Sequence, residues 1–194
     1  FGEDIGVLAG DALMMYAFET ASCAFETSVD PDELSRIGKA IGILARKTGV
    51  YGMIGGQTVD VELAGGPIPA DKLDFIYHLK TGALIEASML IGAVLGGAAD
   101  EDCKIVESLA SKIGMAFQIQ DDILDVTGSE EIVGKPVNSD EKNKKTTYVT
   151  LEGLEKAKQD VEKISAEAIE ELNKLPGNND FLEQLIHLLI HRQK

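Results

Sequence analysis

Apolar residues recur along this 194-residue chain at the spacing of amphipathic helices, and no stretch shows the strict alternation of a half-buried strand. Proline and glycine divide the pattern, as Asp30-Pro31 does at one helix start and Pro176-Gly177 does between the last two helices. The pattern predicts helices over residues 5–27, 31–47, 70–79, 83–97, 100–126, 152–175 and 179–192. It also predicts a short helix that carries Gln57 and Asp60. We therefore predict an all-α helical bundle, with residues 1–194 in a single domain.

One long polar segment, residues 127–145, lacks helical periodicity. Long loops without secondary structure are uncommon in compact domains and usually have a function when they occur. The segment contains Gly134-Lys135 and a basic run at residues 142–145, in a chain that is otherwise poor in cations. We therefore expect this segment to contribute to a functional site.

The composition restricts the possible partners and the compartment. Lysine and arginine number 18 and aspartate and glutamate 33, so the formal net charge is −15. This balance argues against a nucleic-acid partner, because phosphate backbones are bound by clustered cations. Two distant cysteines, Cys23 and Cys103, suit a reducing compartment. The most apolar stretch, residues 83–99, is short for a membrane span and contains Glu86. We predict a cytoplasmic protein without an integral membrane span.

The clearest candidate for chemistry is the acidic run on the predicted helix 100–126. Asp121 and Asp125 are four residues apart and share a helix face, which Asp122 flanks and Gln118 precedes by one turn. Like charges about 6 Å apart repel by about 3 kcal/mol at an effective dielectric constant of 20. A hard cation removes this repulsion, and Mg²⁺ binds one or two carboxylates together with phosphate oxygens. The run predicts a magnesium site, and the motif alone leaves a solvated acidic face as the alternative.

Nearby cations extend this interpretation to a diphosphate ligand. Metal-binding carboxylates and ammonium groups together neutralise the charge of a diphosphate. Lys135 and the basic run at residues 142–145 follow the acidic helix, and Lys80-Thr81 begins the small-residue helix. Gln57 and Asp60 form a further polar pair one helical turn apart. Taken singly, Lys80-Thr81, Gln57 and Asp60 are each more typical of an ordinary polar surface than of a site.

The run from Gly114 to Asp125 resembles the second aspartate-rich motif of the trans-isoprenyl diphosphate synthases, of the short-chain farnesyl and geranylgeranyl type. The resemblance extends over nearly the whole chain, since further motifs occur in the family's order. They are residues 1–13, Gly56-Gln57-x-x-Asp60, Lys80-Thr81-Gly82-Ala83-Leu84, Gly134-Lys135 and Lys145-x-Thr147-Tyr148. The resemblance implies the all-α isoprenoid synthase fold, a dependence on Mg²⁺ and a homodimer.

The same resemblance implies a role for each candidate residue. Asp121 would bind Mg²⁺ directly, with Asp122 and Asp125 assisting. The basic residues that would hold the allylic diphosphate are Lys80, Lys135 and Lys145. Thr81 and Gln118 would stabilise the allylic cation, while Gln57, Asp60 and Asp140 would complete the diphosphate-binding shell. Asn138 stands where the family often has glycine.

The implied reaction is the head-to-tail condensation of an allylic diphosphate with isopentenyl diphosphate. We expect a farnesyl diphosphate synthase, with a geranylgeranyl diphosphate synthase as the alternative product class. Three other interpretations stay open: a class I terpene cyclase, a non-catalytic subunit of a heteromeric prenyltransferase, and a structural bundle with an acidic face.

The chain departs from the family pattern at its start. The family's first aspartate-rich motif, the Arg-Arg pair after it and the residues that bind isopentenyl diphosphate would all precede Phe1. We therefore expect that this chain lacks the N-terminal part of the domain, and that it is inactive by itself.

Overall fold

The computed structural model describes residues 2–128 and 146–192, and within these ranges it is helical and contains no strand. The helices in chain order are α1 (Glu3–Ser22), α2 (Pro31–Thr48), α3 (Met53–Glu62), α4 (Ala70–Ile76), α5 (Ala83–Leu95), α6 (Asp100–Thr127), α7 (Tyr148–Glu152), α8 (Leu154–Leu172) and α9 (Asp180–Ile190). A 3₁₀ turn, Cys23–Glu26, follows α1, and a π-helical turn, Tyr77–Gly82, joins α4 to α5. The predicted all-α class is confirmed.

Helix α2 shows how local sequence sets the element boundaries. The Asp30 side chain accepts a hydrogen bond of 3.0 Å from the backbone N–H of Asp32, and Pro31 takes the first helical position. Arg46 and Lys47 occupy the last turn, where positive charge is favourable to the helix dipole. The predicted helix 31–47 therefore forms almost as expected.

Two predicted boundaries were wrong. The predicted break between helices 70–79 and 83–97 does not exist, because the π-helical turn Tyr77–Gly82 carries the chain from α4 into α5 without interruption. Glycine lowers helix propensity by only about 1 kcal/mol, which packing overcomes at Gly82. The predicted helix 152–175 begins earlier, at Tyr148, and is interrupted at Gly153, whose φ of 85° only glycine adopts readily.

Helix α6 lies at the centre of the described bundle and packs most extensively against α8 and α5. The main core is formed where α6, α8 and α9 meet. Its buried apolar residues are Leu109, Ile113, Ile119, Ile123, Ala157, Val161, Ala168, Leu172, Ile186 and Ile190. A second apolar cluster, made of Ile68, Leu73, Ile76 and Tyr77, lies at the start of the π-helical turn. The acidic part of α6 is therefore held between two cores.

Glycines bring the backbone of the π-helical turn close to two neighbouring helices. A Cβ atom on Gly114 of α6 would lie 2.7 Å from the Cα atom of Gly82, and one on Gly56 of α3 would lie 2.4 Å from the backbone nitrogen of Lys80. Any larger residue at Gly114 or Gly56 would force these elements apart. The two glycines thus fix the turn that contains Lys80 and Thr81 between α3 and α6.

The continuous helical stretch Ala70–Leu95 is long and apolar enough to cross a membrane by length and composition alone. Such a stretch is weak evidence, since core helices of bundles meet the same criterion. Here it packs against α2, α3 and α6, and Lys80 and Glu86 lie near its middle. We therefore interpret it as a bundle helix.

Candidate active site

The three acidic residues of the α6 motif have different environments. Asp121 has a side chain that is 42% exposed, whereas Asp122 and Asp125 are only 4% and 3% exposed. Adjacent residues of a helix point about 100° apart, so Asp121 and Asp122 cannot face the same neighbour. Of the three predicted magnesium ligands, Asp121 is therefore the one that a solvent-borne metal and substrate reach most easily.

Asp121 is contacted by an arginine from the far end of the chain. Arg192, which follows α9, donates hydrogen bonds to Oδ1 of Asp121 at 3.3 Å and to the backbone oxygen of Phe117 at 3.2 Å. Its guanidinium carbon also lies 3.6 Å from the centroid of the Phe117 ring, a cation–π geometry. Burial lowers the pKa of Arg192, although the Asp121 charge acts in the opposite direction. The guanidinium nevertheless stays charged at neutral pH, so it neutralises Asp121 in this structure.

Asp122 is held by groups from two other elements. Its Oδ2 accepts a hydrogen bond of 2.5 Å from the Tyr77 hydroxyl and one of 2.8 Å from the backbone N–H of Tyr148. The Tyr148 hydroxyl in turn donates to Asp160 of α8 at 2.8 Å. Burial and this hydrogen bond raise the pKa of Tyr148 above its ordinary value. Asp122 therefore joins α6 to the π-helical turn and to the start of α7.

The π-helical turn brings the remaining described candidates together in pairs. Lys80 Nζ lies 2.5 Å from Oδ2 of Asp60 on α3, and the Thr81 hydroxyl donates to Oε1 of Gln118 on α6 at 2.9 Å. Gln57 is exposed one turn before Asp60 and forms no hydrogen bond with the described residues. Lys80, Thr81, Asp60 and Gln118 thus meet where α3, the turn and α6 converge.

Three candidates, Lys135, Asp140 and Lys145, lie outside the residues that the structure describes. Their predicted contact with a diphosphate stays a prediction.

The donor set of α6 fits magnesium in its usual protein coordination. Within residues 2–128 and 146–192 no three histidine, cysteine, aspartate or glutamate side chains form a group that could enclose a metal. Mg²⁺, however, is bound by one or two carboxylates and completes its coordination with water and substrate phosphate. A half-exposed Asp121 offers hard oxygen ligands of this kind, so the residues present fit the ion.

Sequence reasoning missed two residues of this site, Tyr77 and Arg192. Tyr77 is 4% exposed and had no signal besides its place three residues before Lys80. Arg192 is separated from Asp121 by 71 residues, and in the sequence it is only the last residue of the predicted helix 179–192. Neither contact follows from local spacing, because each depends on how distant helices pack.

The fold and the site together define a class: an all-helical protein in which a helical turn with a lysine and a threonine packs against a helix with an acidic motif. The Polyprenyl synthetase family model matches residues 1–187, so the chain belongs to the polyprenyl synthetase family. The expected resemblance is confirmed.

Individual relatives agree with this assignment. The chain is 42% identical over 175 residues to the chloroplastic heterodimeric geranylgeranyl pyrophosphate synthase large subunit 1 of Arabidopsis thaliana, covering 89% of this chain and 47% of the relative. It is 40% identical over 159 residues to the farnesyl diphosphate synthase of Geobacillus stearothermophilus, covering 82% and 52%. The structure of a Helicobacter pylori geranyltransferase complexed with magnesium and isoprenyl diphosphate superposes with a TM-score of 0.79 at 34% identity, covering 98% and 60%. The chain therefore spans about half the length of these curated relatives.

Proposed function

We propose that the full-length protein is a magnesium-dependent prenyltransferase that condenses an allylic diphosphate with isopentenyl diphosphate. One observation carries this proposal within the family: the turn with Lys80 and Thr81 packs against the helix that carries Gln118 and Asp121, and it bonds to it directly through Thr81 and Gln118. The element that carries the cation of Lys80 thus packs against the helix that carries the amide oxygen of Gln118 and the carboxylate of Asp121.

Each of these groups suits one requirement of the reaction. The C–O bond of the allylic diphosphate breaks with its electron pair on the departing diphosphate, and Lys80 would neutralise part of that growing charge. The oxygen atoms of Thr81 and Gln118 would face the allylic cation, which the isopentenyl double bond attacks to form the new C–C bond. A proton then passes to the departed diphosphate from the carbon next to the new cationic centre, and the electrons of that C–H bond form the new double bond. Asp121 would hold Mg²⁺, with Asp125 one turn away, and the bound ion supplies further positive charge to the leaving group.

The experiment is a condensation assay on the full-length protein with an allylic diphosphate, labelled isopentenyl diphosphate and Mg²⁺. We expect that Lys80→Gln and Asp121→Asn each lower kcat/KM by at least about 100-fold, because each removes a charge that is needed mainly in the transition state. Lys104→Gln is the matched control, since Lys104 lies on the same helix as Asp121 but is 69% exposed and, among the described residues, pairs only with Glu101. A wild-type protein that forms no C–C bond under these conditions would contradict the proposal.

We propose farnesyl diphosphate as the product, with geranylgeranyl diphosphate as the second candidate. The second candidate is supported by the Arabidopsis relative, which is as similar to this chain as the Geobacillus farnesyl diphosphate synthase. Chromatography of the dephosphorylated product separates the two, because their prenyl chains differ by one five-carbon unit. We also propose a cytoplasmic location, which a fluorescent fusion of the full-length protein tests.

We further propose that the protein is a homodimer that forms through α1. This helix buries none of its residues among those described, and Val7, Leu8, Leu13 and Met15 are each at least 60% exposed. Monomeric soluble proteins rarely expose an apolar surface of this extent. Leu13→Glu should halve the mass that light scattering measures for the full-length protein, whereas Val29→Glu, at a position 95% exposed outside α1, should leave it unchanged. An unchanged mass for Leu13→Glu would contradict a dimer through this helix.

A further inference from the structure

The contact between α6 and the π-helical turn follows one stripe of α6. Three residues spaced by four, Gly114, Gln118 and Asp122, face the turn, because residues at this spacing lie on one side of a helix. Gly114 approaches the backbone of Gly82, Gln118 accepts from Thr81, and Asp122 accepts from Tyr77. The stripe thus contacts the turn at both ends, at Thr81 and Gly82 and at Tyr77.

Asp122 is the most buried of the polar contacts along this stripe. Its side chain is 4% exposed, and Tyr77, which donates to it, is also 4% exposed. The backbone N–H of Tyr148 lies 2.8 Å from the same carboxylate oxygen and 3.2 Å from the Tyr77 hydroxyl, so the three groups form a closed triangle. A buried carboxylate is costly unless hydrogen-bond donors satisfy it. The need for both donors therefore holds α6, the π-helical turn and the start of α7 in one relative position.

We infer that Tyr77 is a positioning residue. We also infer that Asp122 serves as the hydrogen-bond acceptor that joins α6 to the π-helical turn, and not as a ligand of the metal. Tyr77 begins the turn that carries Lys80 and Thr81, while Asp122 adjoins Asp121. The Tyr77–Asp122 bond therefore sets the distance between the lysine and the exposed carboxylate that would bind the two ends of a magnesium diphosphate. This inference rests on the proposed function, which it deepens.

The chain offers a matched control in Tyr148. Tyr77→Phe and Tyr148→Phe each remove one phenol hydroxyl that is bonded to a buried carboxylate, Asp122 in the first case and Asp160 in the second. Tyr148→Phe leaves its own backbone N–H free to donate to Asp122. A general loss of stability should therefore be similar in the two variants, and only Tyr77→Phe should affect the relation between Lys80 and Asp121.

The first measurement is binding of inorganic diphosphate in the presence of Mg²⁺ to the full-length protein, by calorimetry and thermal shift. We expect Tyr77→Phe to weaken binding about fivefold and Tyr148→Phe to leave it unchanged, because only Tyr77→Phe breaks a bond between the turn and α6. Asp122→Asn keeps an acceptor oxygen and should retain binding within about tenfold, whereas Asp121→Asn should abolish it. Equal losses for Asp122→Asn and Asp121→Asn, or for the two tyrosine variants, would overturn the inference.

The second measurement needs neither metal nor substrate. In a double-mutant cycle of Tyr77→Phe and Asp122→Asn, followed by urea unfolding, the two effects should be clearly non-additive. Additive effects would show that Tyr77 and Asp122 are not coupled, and would overturn the inference. A wild-type protein that binds no magnesium diphosphate would instead overturn the proposed function, and the cycle would still decide whether Tyr77 and Asp122 are coupled.

Discussion

Replacing Lys47 with methionine should destabilise the bundle far more than an ordinary surface substitution. Lys47 of α2 lies 2.5 Å from Glu86 of α5 and 2.8 Å from Glu107 of α6, so it connects three helices. The side chains of Lys47 and Glu86 are 19% and 3% exposed, whereas that of Glu107 is 52% exposed. The cost of the substitution therefore arises mainly at Glu86, which would stay buried and lose its cation.

The size of this effect follows from the burial of the pair. Removing one member of a buried ion pair costs about 3–5 kcal/mol. The Lys47 side chain is 19% exposed, so water replaces part of the lost interaction and the lower end of this range applies. We therefore expect a loss of about 3 kcal/mol at pH 7, or about 6–12 °C in Tm for a chain of this size.

The assay is urea and thermal unfolding of the full-length protein at pH 7. Lys104→Met, which removes an exposed pair with Glu101, should leave Tm unchanged. The double variant Lys47→Met/Glu86→Leu should recover most of the loss, because it also removes the buried carboxylate. A loss at Lys47 no larger than at Lys104, or a double variant that recovers nothing, would refute this reasoning.

Three further predictions concern the site and its supports. In a titration with Mg²⁺ in the presence of diphosphate, Arg192→Ala should lower the Mg²⁺ concentration at half-saturation about fivefold. The reason is that Mg²⁺ no longer competes with the guanidinium for Asp121, and an increase would contradict this. Hydrogen bonds from its neighbours lower the pKa of Asp160, so its contribution to stability is present above pH about 4 and is lost as the pH falls through its folded pKa. In Asp160→Asn the urea concentration at the unfolding midpoint should therefore fall less steeply with decreasing pH than it does in the wild type. An unchanged slope would contradict this prediction. Gly114→Ala should lower Tm, since its Cβ would lie 2.7 Å from a neighbouring backbone atom. Gly92→Ala should raise Tm, because its Cβ would meet no atom of the described residues within 4 Å.

Local signals in the sequence predicted most helix boundaries. Asp30 and Pro31 indicated the start of α2 because the cap is made by residues adjacent in the chain. The π-helical turn was not predicted, since a single inserted residue leaves the apolar pattern almost unchanged and shows only in the backbone hydrogen bonds. Close packing explains the glycines at positions 82 and 114, whereas a Cβ atom on Gly92 would meet no described atom within 4 Å.

For the site, the sequence predicted which residue types matter better than it predicted their partners. The motif order brought Thr81 and Gln118 into one predicted site, and the structure joins them by a hydrogen bond. The pairing of Lys80 with Asp60 and of Arg192 with Asp121 depends on the packing of elements that are distant in the chain. Spacing within one segment does not specify these two ion pairs. They form because the glycine contacts and the two apolar cores around α6 determine how the helices pack.

The acidic motif shows why residues of one motif need not share one role. On a helix, Asp121 and Asp122 point about 100° apart, and the elements that flank α6 differ on those two sides. On one side Asp121 is 42% exposed and pairs with Arg192, a residue that lies after the last helix. On the other side Asp122 meets Tyr77 and the backbone of Tyr148, which are fixed by the surrounding core. We therefore expect the two adjacent aspartates to have different roles, with Asp121 as the proposed metal ligand and Asp122 as the residue that anchors α6 to the turn, because they lie on different sides of the helix.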